Sequence, residues 1–126
     1  MSRIIRERVE PQNLVLKRYR GDRNYTIAGS ETELKHGQAM AIKATDGKLY
    51  PYDKAGADGL NIPIGIYVGS NKTSSTDFKG SITTSADVLK NKVIGIEFAT
   101  DFNAIIELQK MGTFVLDAIE GKEVNE

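Results

Sequence analysis

Apolar and polar positions alternate in short runs along most of this chain, and the period of two reads as a series of short β-strands. The clearest unit runs from Gln38 to Gly69. Met40 to Ala44 is a strand with Met40, Ile42 and Ala44 on one face and Ala41 and Lys43 on the other. Thr45-Asp46-Gly47 is the turn, because Asp and Gly accept the positive φ angles that a tight hairpin needs. Lys48 to Tyr52 returns, with Leu49 alternating against Tyr50 and Pro51. Pro51 has no N–H to donate, so the strand is an edge or breaks there. A loop of small and turn residues, Asp53 to Gly59, leads into a buried strand, Ile62 to Val68. Gly65 inside that strand predicts a close backbone approach or a bulge.

The flanking segments follow the same logic. Residues 1–12 read as an arm, dense in Arg and Glu and closed by Pro11, with Ile4, Ile5 and Val9 as candidate anchors. Leu14 to Arg18 is a candidate strand with Leu14 and Leu16 on one face, Arg20-Gly21-Asp22 a turn, and Tyr25 to Ala28 a second β segment. Gly29 to Gly37 is polar, with Glu31 to Lys35 expected as one helical turn or a loop. Ser70 to Thr76 reads as a loop and Phe78 to Thr83 as a strand interrupted by Gly80. Ala86 to Leu89 reads as a turn or single helical turn stopped near Asn91. Val93 to Phe98 alternates like a strand. Asp101 stands at the N-cap of the one clear helix, whose apolar face would be Phe102, Ile105, Ile106 and Leu108 and whose C-terminal stop is Gly112. Thr113 to Ile119 is a last strand, with Phe114, Leu116 and Ala118 set against Thr113, Val115 and Asp117, and Gly121 to Glu126 a charged tail. The expected fold is mostly β with a minor α component: a small barrel- or sandwich-like domain of roughly seven short strands, one late helix and an extended N-terminal arm. The organisation expected is a basic arm, partly strand, over residues 1–24, a β-rich domain over 25–120 and a flexible tail over 121–126.

At 126 residues the chain suits one domain with a modest core. No run approaches the ~18 apolar residues of a membrane helix, and the charged N-terminus is not followed by the apolar stretch of a secretory signal. Cysteine is absent, which excludes disulfides and thiolate metal sites. The net charge is zero but unevenly spread: residues 1–24 hold seven basic and three acidic side chains, and the remainder holds ten and fourteen. A basic arm on an acidic body points to an acidic partner surface or nucleic acid, or else to a solvated tail.

No side-chain set announces catalysis. The lone histidine, His36, lies between Lys35 and Gly37 and reads as a surface loop residue. Asp46, Asp53, Asp58, Asp77 and Asp87 stand mostly beside Gly, Ser or Thr, where turns place Asp. The loop from Asp53 to Gly59 lacks the alternating ligands and terminal Glu of a calcium loop. Arg20-Gly21-Asp22 matches an adhesion tripeptide, short enough to arise by chance, and Asn24 and Asn71 head glycosylation acceptor strings that carry no chemical meaning without a secretory signal. Ala41-Ile42-Lys43-Ala44 is similar to the string around the modified Lys of biotinyl and lipoyl carriers, but there the Lys sits at the hairpin tip and here Lys43 falls inside the strand. Tyr19 and Tyr25 near Arg18, Arg20 and Arg23 are the only hint of a nucleic-acid module. A carrier modified at Lys43 and a nucleic-acid-binding β domain are the alternatives to a structural role.

The order of strings carries a family resemblance. Gly37-Gln-Ala-Met40 enters a strand, Asp46-Gly-Lys-Leu49 forms a hairpin, a Gly/Ala/Asp loop follows, and Pro63-Ile-Gly65-Ile is the next strand. A Ser/Thr loop, Lys79-Gly80, Asp87-Val-Leu89, a helix ending at Gly112 and a last apolar strand complete the series. Over about Gly37 to Ile119 this resembles the head decoration proteins of tailed phages, the lambda-type (protein D) family. The resemblance implies a small mostly β protein without enzymatic activity or cofactor, made in the host cytoplasm. It implies binding as a homotrimer to the major capsid protein on the outside of the expanded head, with no nucleic-acid or membrane partner. It also implies an N-terminal arm that orders on the capsid, here Arg3, Ile4, Ile5, Arg6, Arg8 and Val9. This chain departs in its longer and more basic N-terminal region.

Overall fold

The computed structural model describes residues 13–117. Its ten strands are β1 (Val15–Arg18), β2 (Arg23–Ile27), β3 (Ser30–Leu34), β4 (Ala39–Ile42), β5 (Leu49–Pro51), β6 (Pro63–Tyr67), β7 (Lys72–Ser74), β8 (Phe78–Thr83), β9 (Ala86–Leu89) and β10 (Thr113–Leu116). The helix α1 spans Phe102–Met111. Five strands close a barrel in the order β2-β5-β4-β6-β8, β1-β9-β10 form a separate sheet, and β3 pairs with β7 in a two-stranded ribbon. The mostly β, barrel-bearing domain with a late helix is therefore as the alternating pattern predicts.

Two cores explain why β4 and β6 are apolar on both faces. Inside the barrel Met40, Leu49, Tyr67 and Ile82 pack with Ile27 and Leu34. The neighbours of Met40 and Tyr67 in sequence, Ala39 and Ile66, point the other way. They join Leu14, Val88, Ala104 and Leu108 in a second core between the barrel wall, the three-stranded sheet and α1. Period-two geometry assigns successive residues to opposite faces, so each strand serves both cores. Gly65 is the close approach expected of it. A Cβ there would fall 2.6 Å from the Thr83 carbonyl oxygen, and the β4–β6 register shifts between Met40 and Ala41 opposite it. Pro51 ends β5 opposite Met40.

The structure departs from the local pattern at four places, three of them through long-range pairing and one through a glycine. Glu31 to Lys35 is not helical: Ser30–Leu34 is β3, held by β7, and Ser70 to Thr76 contains that partner strand. These stretches are polar on both faces apart from Leu34, so no apolar period marks them. Ala86–Leu89 is not a turn but the central strand of its sheet, antiparallel to β1 and parallel to β10. Parallel neighbours need a crossover, and α1 supplies it. Val93 to Phe98 is not a strand. Gly95 sits at φ +98°, which breaks an extended run, and only a single parallel bridge joins Ile94 to Gln38. Val93 and Ile96 still reach the second core.

The helix begins and ends where expected. The Asp101 carboxylate accepts from the Ala104 N–H at 3.2 Å, and Gly112, in the left-handed conformation, donates its N–H to the Gln109 and Leu108 carbonyls. Its buried face matches the expected one at Leu108, with Ile105 half-buried, but not at Phe102 and Ile106. Ala104 and Leu108 are buried, whereas Phe102 and Ile106 face solvent. Leu14 is buried but Leu16 is exposed, because the β1–β9 register shifts between Val15 and Lys17 and interrupts the alternation. In β10 it is Thr113 and Val115 that face the core, and Phe114 is exposed. Ala118, Ile119 and the 121–126 tail lie outside the described residues.

Candidate interaction surface

Three surface features of the described residues carry recognition chemistry, on the β1-β9-β10 sheet, on α1 and in a groove beside the last turn of α1. Lys17, Asp87 and Phe114 stand in register across the three-stranded sheet. Tyr19, just past β1, donates its hydroxyl to Asp87 Oδ2 at 2.9 Å. Its ring meets Phe114 edge-on, with centroids 6.3 Å apart and planes at 88°, and Lys17 Nζ lies 5.4 Å from the centre of the Tyr19 ring. Tyr19 is itself half exposed, yet its backbone is fixed: its N–H donates to the Ser85 carbonyl at 2.9 Å. The hydrogen bond to Asp87 holds the Tyr19 phenol above its ordinary pKa. The half-exposed Tyr19 ring against the exposed Phe114, edged by Lys17 and Asp87, makes an aromatic surface with a polar rim, the composition of protein interfaces. β1 and β10 are both edges of their sheet, and the chain enters β1 from residues 1–12.

On α1, Phe102 and Ile106 lie one turn apart and are 62% and 48% exposed, an outward apolar pair off the face that carries Ala104 and Leu108 into the second core. The helix is anchored beneath them by a buried contact. Tyr52, leaving β5, donates its hydroxyl to Asp101 Oδ2 at 2.5 Å, and both residues are almost fully buried. Burial, and then the hydrogen bond to Asp101, push the Tyr52 phenol well above its ordinary pKa. The helix N-cap and the β5 exit therefore share one carboxylate.

A third feature is a groove where the β1–β2 turn, the β8–β9 junction and the last turn of α1 meet. Arg20, Arg23, Tyr25, Ser85, Gln109 and Lys110 line it. The adjacent Arg18 is taken up internally, its guanidinium bonded to both Asp22 oxygens at 2.8 and 3.1 Å. That fork closes the Arg20-Gly21-Asp22 turn, and Asp22 is held by Arg18.

Most of the other singled-out residues serve turns. Asp46 accepts from the Lys48 N–H at 2.9 Å and the Tyr50 hydroxyl at 2.7 Å, and these bonds lower its pKa. Asp58 accepts from the Thr45 hydroxyl at 2.7 Å, Asp53 from the Ala55 N–H, and Asp77 from the Gly29 N–H while pairing with Lys48 Nζ at 2.6 Å. Among the described residues no three His, Asp or Glu side chains form a metal-binding group. His36 is exposed and close to the Gly69 carbonyl, 3.1 Å from Nδ1. Lys43 lies one residue beyond β4, beside the Ala44–Asp46 turn rather than at its tip, with Nζ 5.3 Å from the Tyr50 ring centre. Asn24 and Asn71 lie on β2 and immediately before β7; Asn24 accepts from the Ser81 hydroxyl and Asn71 from the His36 N–H. The arm residues Arg3, Ile4, Ile5, Arg6, Arg8 and Val9 lie outside the described residues. No described helix is long and apolar enough to cross a membrane.

The surface around Tyr19 and Phe114 escapes a sequence reading because it depends on β9 being a central strand. The one available signal is the pairing of Tyr19 with a cationic neighbour two positions earlier. No protein-family model matches the chain, and no curated protein matches it either.

Proposed function

We propose that this chain is a capsid decoration protein: a structural, non-enzymatic component bound to the major capsid protein on the outside of an expanded tailed-phage head. The observation that carries the reading is the ordered series of strings from Gly37 to Ile119, which resembles the lambda-type family. Two structural features support it. Residues 1–12 feed into β1, an edge strand, so an arm can add main-chain hydrogen bonds to a partner without disturbing the barrel. The exposed Phe102–Ile106 pair and the Tyr19–Phe114 surface offer two separate apolar contacts, one for capsid and one for a neighbouring copy in a trimer.

The physics of such a role is mass action with avidity. A protein that binds the expanded shell and not the unexpanded one stabilises the expanded shell in proportion to its binding. A trimer multiplies this, because attachment of one subunit raises the local concentration of the other two. Arm ordering costs conformational entropy, which the new backbone hydrogen bonds offset. In this reading Arg3, Ile4, Ile5, Arg6, Arg8 and Val9 form the capsid-binding arm, the protein resides on the virion, and neither cofactor nor nucleic acid takes part.

Deleting residues 1–10 tests the arm directly. Occupancy on expanded heads should fall at least tenfold, on the order of one lost anchoring segment, while the melting temperature of the free protein stays put. Unchanged occupancy would remove the arm from the account. Neither alternative gains a specific observation: Lys43 stands off the hairpin tip, and Tyr25 is the one aromatic lining the basic groove.

A further inference from the structure

We infer that the groove lined by Arg20, Arg23 and Lys110 is a binding site for an acidic peptide segment presented by a protein partner. The inference rests on the groove alone and does not require the decoration reading. Its three cations come from three separate parts of the fold. Arg20 lies in the β1–β2 turn, Arg23 opens β2 opposite Ile82, and Lys110 sits in the last turn of α1. Folding brings them to one concavity that no acidic side chain lines. Among the described residues the ion pairs are Arg18–Asp22, Lys48–Asp77, Lys90–Asp117 and Lys110–Glu107. Arg20 and Arg23 enter none of them, and the Lys110 contact is long, 3.5 Å, on exposed side chains. Two guanidinium forks facing one groove are therefore available for carboxylates, which they can bind in pairs of parallel hydrogen bonds.

The walls are held in place. The Ser85 carbonyl accepts from the Tyr19 and Arg20 N–H groups at 2.9 and 3.4 Å, which ties the β1–β2 turn to the β8–β9 junction. Gly112 caps α1 with its N–H, which fixes the third wall. Gln109 and Ser85 add neutral hydrogen-bonding residues to the lining. The groove measures about 430 Å³. A single phosphate would leave most of that space to solvent, whereas an extended segment with several carboxylates would fill it. A nucleic acid would need stacking platforms between the cations, and only Tyr25 among the lining residues could serve.

The test is fluorescence anisotropy of a labelled decapeptide of alternating Glu and Gly, titrated with the full chain at low and at physiological salt. Saturable binding that weakens with salt is expected. The triple variant Arg20→Gln/Arg23→Gln/Lys110→Gln should bind about thirtyfold more weakly, roughly threefold for each charge removed. The double variant Arg20→Glu/Arg23→Glu should instead take up the matching Lys/Gly peptide, a rescue that a misfolded protein cannot give. Equal affinity in the triple variant, or no binding at low salt, would overturn the inference. So would inorganic phosphate displacing the peptide at equal concentration, or a single-stranded oligonucleotide binding more tightly than the peptide.

Discussion

Replacing Tyr52 by Phe removes one oxygen from the interior and should destabilise the protein by about 1–3 kcal/mol. Tyr52 is 7% exposed and Asp101 3% exposed, so the pair is out of reach of bulk water. The Tyr52 hydroxyl is the donor to Asp101 Oδ2, while Oδ1 keeps the Ala104 N–H of the helix cap. With Phe at this position, one carboxylate oxygen stays buried without its donor, and the cost is the desolvation of that oxygen. The ring itself still fills its place in the second core, so no cavity term adds to it. For a domain of this size each kcal/mol moves the melting temperature by about 4 °C, so a drop of roughly 4–12 °C is expected. The pair also predicts an alkaline signature. Burial and the hydrogen bond raise the Tyr52 pKa in the folded chain above that of the unfolded chain. The folded state therefore keeps a proton that the unfolded chain gives up above about pH 10, so this stability is full below that pH and is lost as pH rises through it. Urea unfolding followed by circular dichroism, at neutral pH and in steps up to pH 11, measures both effects. The Phe variant should lose stability at neutral pH and fall less steeply above pH 10. A variant within about 0.3 kcal/mol of the parent at neutral pH, with the same alkaline slope, would refute the buried-pair reasoning.

Other expectations follow from single contacts. Leu108→Ala should cost about 2–5 kcal/mol by chemical denaturation, since Leu108 is fully buried between α1 and the barrel wall. Gly95→Ala should cost about 1–3 kcal/mol, because φ is +98° and the added Cβ would fall 2.3 Å from Gln38 Nε2; Gly21→Ala, in open space, is the near-neutral control in the same assay. Phe102→Ser with Ile106→Ser should leave the melting temperature within about 2 °C, since exposed side chains contribute little to folding, while self-association or capsid occupancy falls. Analytical ultracentrifugation and capsid pelleting read the two effects separately.

How much of this was legible in the sequence depends on whether a segment's fate was set locally. The Asp46–Gly47 hairpin, the Pro63–Tyr67 strand with its Gly65 contact, and the helix from Asp101 to Gly112 all carry their own chemistry: turn residues, caps and an apolar run. Those elements stand where the pattern puts them. Ala86–Leu89 and Ser30–Leu34 carry none, being four and five residues long with weak periodicity, and only distant partners make them strands. The helix illustrates the middle case. Its existence is local, but which face is buried is decided by the barrel wall it meets. Ala104 and Leu108 win that contact and Phe102 and Ile106 lose it. The candidate surfaces were the least legible part. Arg20 and Arg23 look like members of a basic arm until folding sets them around a groove with Lys110, ninety residues away in the chain. Tyr19 and Phe114 likewise meet only because β9 lies between their strands.

The most direct measurement is co-sedimentation of the purified chain with expanded, undecorated tailed-phage heads, in parallel with unexpanded shells. Saturable binding to expanded heads alone, at a copy number that is a multiple of three per site, is what the decoration account predicts. Absence of binding to expanded heads, or equal binding to both shells, would contradict it.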